Sequence, residues 1–199
     1  MQSFLKYYIM IGLFSIVTSC KKNDGKDATN PPAINAQEQI TTVVLTGYNE
    51  LLPDDPSYKF AVTWQDLDGT GGNAPVIDSL LLDTGIQYHV SVLLLDKTQT
   101  PWDTVSNEVE EKKNYHQFFY APDSHLKGKM NITILDFDNN TPSLPVGLKF
   151  RMDTRSSLGF TLPVAGNLNM VLSHYDGIPK TASRSPESDI DILFPVRLQ

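Results

Sequence analysis

The sequence predicts an all-β fold: an antiparallel β-sandwich, Ig-like or transthyretin-like, with one short helix near residues 104–114. Three observations lead there. Apolar and polar side chains alternate in segment after segment, turn residues separate those segments, and a single stretch has the composition of a helix.

The alternation starts after a β-branched run, Thr41 to Thr46, that reads as the first strand. Tyr58, Phe60, Val62 and Trp64 then share one face and Lys59, Ala61 and Thr63 the other, the period of two that a half-buried strand requires. Val76 to Leu82 reads as a further strand. Tyr88, Val90, Val92 and Leu94 repeat the alternation, as do Met130, Ile132 and Ile134, then Leu148, Phe150 and Met152. Leu168, Met170 and Leu172 follow, and then Ile190, Ile192 and Phe194. Between the runs lie Pro53-Asp54-Asp55-Pro56, Gly71-Gly72-Asn73, Asn139-Asn140-Thr141-Pro142 and Asp176-Gly177, all turn chemistry. Thr104 to Asn114 is different. Asp103 or Thr104 supplies an N-cap, and Glu108 and Lys112 stand at the helical i, i+4 spacing. Tyr115 to Tyr120 is dense in aromatics and reads as a strand whose rings fill the core against Trp64. An aromatic ligand-binding face made by His116, Phe118 and Tyr120 is the functional alternative.

The first 37 residues do not belong to the sandwich. Residues 1–19 carry one early lysine, Lys6, then an apolar run from Tyr7 to Phe14 with Ile16 and Val17 beyond it. That run is shorter than the ~20 residues a membrane span needs and has the layout of an export signal. It ends at Cys20, the one cysteine in the chain. Val17-Thr18-Ser19-Cys20 resembles a lipobox, in the relaxed form typical of Bacteroidetes lipoproteins. The resemblance implies cleavage before Cys20 and acylation of Cys20, so that the mature chain is held in a lipid membrane by two or three acyl chains. Residues 20–37 are polar and rich in Gly and Pro, the composition of a flexible tether. Residues 38–199 are then one domain, long enough to bury a core without disulfides. The expected location is the cell envelope, lipid-anchored at the outer membrane, on its periplasmic or its surface face.

A net charge of −7 argues against a nucleic-acid partner, which needs clustered Lys and Arg. Two stretches carry a wider resemblance: Thr63-Trp-Gln-Asp-Leu-Asp-Gly-Thr-Gly-Gly-Asn-Ala-Pro75, and Asn107 to Tyr120. With Leu135-Asp-Phe-Asp-Asn139 and Pro145-Val-Gly-Leu148 they resemble a group of Bacteroidetes lipoproteins labelled as a type 1 periplasmic-binding-fold superfamily. The resemblance implies class and location but no mechanism. The fold in that label is α/β and two-lobed, whereas this chain is too short for two such lobes and shows almost no helix.

Two Asp-x-Asp units invite a cation. Asp66 and Asp68 precede Gly69, and alternate carboxylates before a glycine turn are a calcium-loop arrangement. Asp136 and Asp138 form the second unit, and if both loops sat at one end of a sandwich the four carboxylates would share a calcium ion. Counting from Asp66, the twelfth residue is Ile77 and not Glu, so this is no EF-hand. Asp, Asn and Gly also make ordinary turns. The four histidines, His89, His116, His125 and His174, show no metal-binding spacing. Asp189 and Asp191 read as solvent-facing acids on a strand. Gly-x-Ser-x-Gly, Ser-x-x-Lys and phosphate-loop motifs do not occur, so no enzyme is expected. The leading expectation is a membrane-anchored module that binds a small ligand, glycan or ion, accessory to an outer-membrane uptake receptor. A structural or protein-interaction lipoprotein and a hydrolase with dispersed carboxylates are the alternatives.

Overall fold

A computed structural model describes residues 38–199 apart from Thr70. Residues 1–37, with the expected export signal, Cys20 and the expected tether, lie outside the described residues.

Among the described residues, ten strands form two sheets. The larger contains β1 (Thr42–Asn49), β2 (Phe60–Gln65), β3 (Val76–Ile77), β5 (Gln87–Leu95), β7 (Met130–Ile134) and β8 (Lys149–Thr154), in the order β3-β2-β1-β5-β8-β7. The smaller runs β4-β10-β9-β6, from β4 (Leu80–Leu82), β6 (His116–Pro122), β9 (Val164–His174) and β10 (Glu187–Leu198). All pairings are antiparallel except β4 with β10. The run Val76 to Leu82, which reads as one strand, is two: β3 edges the larger sheet and β4 the smaller.

The alternation expected from the sequence is the alternation of the core. Leu45, Val90, Phe150 and Met152 from the larger sheet share one buried cluster with Phe118, Leu168, Met170 and Phe194 from the smaller. Helix α1 (Val105–Glu111) buries Val105 and Val109, one turn apart, against that cluster. Thr104 is its N-cap residue but makes no side-chain cap bond.

Strand β6 corrects the expected partner of the aromatic run. Phe118 is buried, and the Tyr120 ring lies 4.2 Å from that of Phe150, so the rings fill the core across the two sheets. The Tyr120 hydroxyl donates to the Gly147 carbonyl at 2.5 Å, and burial pushes its pKa well up, which keeps the proton on that donor. Gly147 has φ +94°, and a Cβ there would come within 2.7 Å of the Phe118 Cβ, so the close approach of this loop to β6 needs glycine. Tyr120→Phe removes one buried hydrogen bond and leaves the Gly147 carbonyl unpaired. Urea unfolding is expected to show a loss of about 1 kcal/mol, and an unchanged midpoint would contradict this role.

Candidate metal centre

His116 and His174 are 58 positions apart in the chain, yet β6 and β9 pair them directly across the ladder. Both continue apolar faces: His116 is in phase with Phe118 and Tyr120, and His174 with Leu168, Met170 and Leu172. Their rings therefore turn into the sandwich, with centroids 4.6 Å apart.

Asp189 joins them because β10 bulges. Ser188 pairs with Ser173 and Ile190 with Leu172, so Asp189 is the extra residue. Regular alternation with Ile190, Ile192 and Phe194 would have sent Asp189 to solvent, as the sequence suggests. The bulge re-aims it instead, and its carboxylate is fully buried. Asp189 Oδ1 accepts from His174 Nδ1 at 3.1 Å and from the Glu38 backbone N–H at 3.3 Å. Asp189 Oδ2 lies 3.5 Å from His116 Nε2.

Helix α1 fixes the tautomer of His116. Its Nδ1 lies 3.1 Å from the Lys112 carbonyl at the helix C-terminus. A carbonyl only accepts, so Nδ1 carries the hydrogen, and in the neutral ring Nε2 presents a lone pair. Burial pushes the His116 pKa down, against the opposing pull of the Lys112 carbonyl and the Asp189 charge. Two acceptors, His116 Nε2 and Asp189 Oδ2, thus face each other inside the protein, and neither has a hydrogen-bond partner. Such an arrangement is costly until something positive stands between them.

The geometry suits an ion. Zinc with nitrogen and oxygen ligands at ~2.0–2.1 Å in a tetrahedron has ligand atoms ~3.3 Å apart, and His116 Nε2 and Asp189 Oδ2 are 3.5 Å apart; His174 Nδ1, 3.1 Å from Asp189 Oδ1, would join them as a ligand once its ring proton moves to Nε2. A metal-bound imidazole usually donates its other N–H to a carbonyl or carboxylate, as His116 does to Lys112. Among the described residues, His116, His174 and Asp189 are the group of three whose ligand atoms lie within 4.8 Å of one another. Two imidazoles and a carboxylate favour a first-row transition ion over calcium or magnesium, which prefer all-oxygen shells.

A groove of about 430 Å³ runs along the outside of Asp189, whose carboxylate stays buried behind it, and is lined also by Trp64, Asp66, Asp68 and Asp191. Its acids give an approaching cation a favourable field.

The four aspartates expected to share calcium are kept apart. Strands β2 and β7 run in the same direction, so Asp66 and Asp136 do leave the larger sheet at the same end. But β1, β5 and β8 lie between them, four steps of ~4.8 Å, or roughly 19 Å. Each carboxylate is also occupied as a turn or loop clamp. Asp66 Oδ1 accepts from the Gly69 N–H, and Asp68 Oδ2 from the N–H and side-chain amide of Asn73. Asp136 clamps the Gly147 and Leu148 N–H groups, each at 2.9 Å. Beside Asp138 the place of a cation is taken by the Lys180 ammonium, 3.0 Å from Oδ2, with both side chains fully buried.

The aromatic face divides in the same way: His116 belongs to the cluster, while Phe118 and Tyr120 belong to the core. His89 stacks on Tyr48, and His125 lies 3.7 Å from Asp123 at the surface. No protein-family model matches the chain, and no curated protein matches it either.

Proposed function

We propose that this chain is a lipid-anchored protein of the cell envelope whose β-sandwich holds one divalent first-row transition ion between His116, His174 and Asp189. The observation that carries the reading is the buried His116 Nε2 facing the buried Asp189 Oδ2 with no hydrogen-bond partner for either. Burial of the His116 ring and the N-terminal segment lying against Asp189 favour a site that holds an ion over one that turns over a substrate. Position at the outer membrane would suit such a module to serve an uptake receptor.

Zinc titrated into the chelator-stripped full chain, in competition with a chromophoric chelator, is expected to bind at one equivalent, with calcium failing to compete. Binding of calcium in preference to zinc, or of neither, would sink the ion reading.

The anchor is tested separately. Cys20→Ala is expected to abolish acyl labelling and leave an uncleaved or mis-sorted precursor. Acyl-labelled mature protein persisting in that variant would remove the lipoprotein half of the proposal.

A further inference from the structure

We propose that Glu38 is the fourth ligand of the ion, surrendered by Lys112 when the ion arrives, so that occupancy fastens the end of the tether to the sandwich. This rests on the ion-binding reading above.

Glu38 is the first described residue, directly after residues 20–37. Its backbone N–H donates to Asp189 Oδ1, so the main chain is already docked on a ligand. Its side chain, 11% exposed, places Oε1 4.0 Å from His116 Nε2. That gap is about 0.7 Å beyond a tetrahedral ligand separation of ~3.3 Å, so Glu38 has to move in to become a ligand. What holds the carboxylate off is visible: Lys112 Nζ lies 3.0 Å from the same Oε1.

Lys112 is able to let go. Its own side chain is half exposed, and Glu108 stands one helical turn back, 3.5 Å away, as a second partner. A divalent ion among three buried ligands attracts the Glu38 carboxylate more strongly than a solvated ammonium does, since the screening around Lys112 is nearer that of water. The three residues of the cluster leave one tetrahedral position open, and among the described residues Glu38 is the carboxylate that already approaches His116 beside Asp189. Lys112 is also the residue whose carbonyl orients His116, so α1 both aims one ligand and stores another.

The test uses the full chain and reads zinc affinity by chelator competition, cobalt absorption, and amide exchange at residues 39–41. Glu38→Ala is expected to weaken zinc about tenfold or more, at the level of losing a partner of the metal shell, and to change the cobalt spectrum as water replaces the carboxylate. Lys112→Met is expected to tighten zinc several-fold with the wild-type cobalt spectrum retained. Zinc should slow exchange at residues 39–41 in the wild type and not in Glu38→Ala. Glu38→Gln, closer in shape, separates ligation from folding and should weaken zinc as well. Wild-type zinc affinity and an unchanged cobalt spectrum in both Glu38 variants would overturn the fourth-ligand assignment and leave the three-residue site standing. Absence of zinc binding in the wild type would overturn both together.

Discussion

Asp189→Ala is expected to reduce zinc affinity by at least ~100-fold, the upper end of what losing even an outer-shell partner costs. Asp189 is the one carboxylate of the three-residue cluster, and without it only the two imidazoles, with ring centroids 4.6 Å apart, face each other there. The variant is expected to stay folded. The carboxylate carries a buried acceptor, Oδ2, that no donor reaches, so its loss removes a burden along with the hydrogen bonds that Oδ1 accepts from His174 and from the Glu38 N–H. Chelator competition on Asp189→Ala beside wild type decides the matter. Equal affinities would place the ion elsewhere.

The second large effect is on stability. Lys180→Met is expected to cost about 3–5 kcal/mol, the range for removing one partner of a buried ion pair. For a domain of this size that lowers the melting temperature by roughly 6–20 °C. Lys180 reaches Asp138 at 3.0 Å and the Lys113 carbonyl at 2.9 Å, tying together the segment after α1, the segment after β7 and the segment after β9. The two partners feel burial differently. It pushes the Lys180 pKa down, and the charges of Asp138 and Asp136 restore it only in part. At Asp138 burial pushes upward, but the Leu144 and Asn140 N–H groups and Lys180 outweigh it and hold the carboxyl below its usual range. Asp138 is thus well served even without Lys180, while its charge is not. Lys180→Met/Asp138→Asn should therefore be more stable than Lys180→Met alone; simple additivity of the two losses in thermal unfolding would contradict the coupling. The stability that Asp138 confers is complete above the unfolded Asp pKa of about 3.9 and disappears as pH falls through its lower folded value, an acid step that Asp138→Asn should remove.

How much of this was legible in the sequence follows from the range over which each signal acts. Strand alternation is local, and it located the cores of β2, β5, β7, β8, β9 and β10 and the helix at α1. Strand pairing is not local. Nothing in the spacing of His116 and His174 announces that they sit opposite each other, although each lies in phase with its strand's apolar residues, which marks a histidine aimed inward. Parity, which assumes an unbroken ladder, places Asp189 on the wrong side, because one extra residue reverses the side on which a carboxylate emerges. Asp66 and Asp68, half of the calcium set that the sequence suggests, line the groove outside Asp189. Asp136 and Asp138 carry the same local motif and serve loop clamping and an ion pair, because short Asp-rich turns satisfy their own backbone before they serve a ligand.

The central claim is that two imidazoles and the Asp189 carboxylate meet on one ion. X-ray absorption at the zinc edge, on the full chain loaded with one equivalent of zinc, tests it most directly. The account predicts a first shell of nitrogen and oxygen at ~2.0–2.1 Å, with the outer-ring scattering of two imidazoles, both lost in His116→Ala/His174→Ala. A shell of oxygen alone, or one that survives that double substitution, would contradict it.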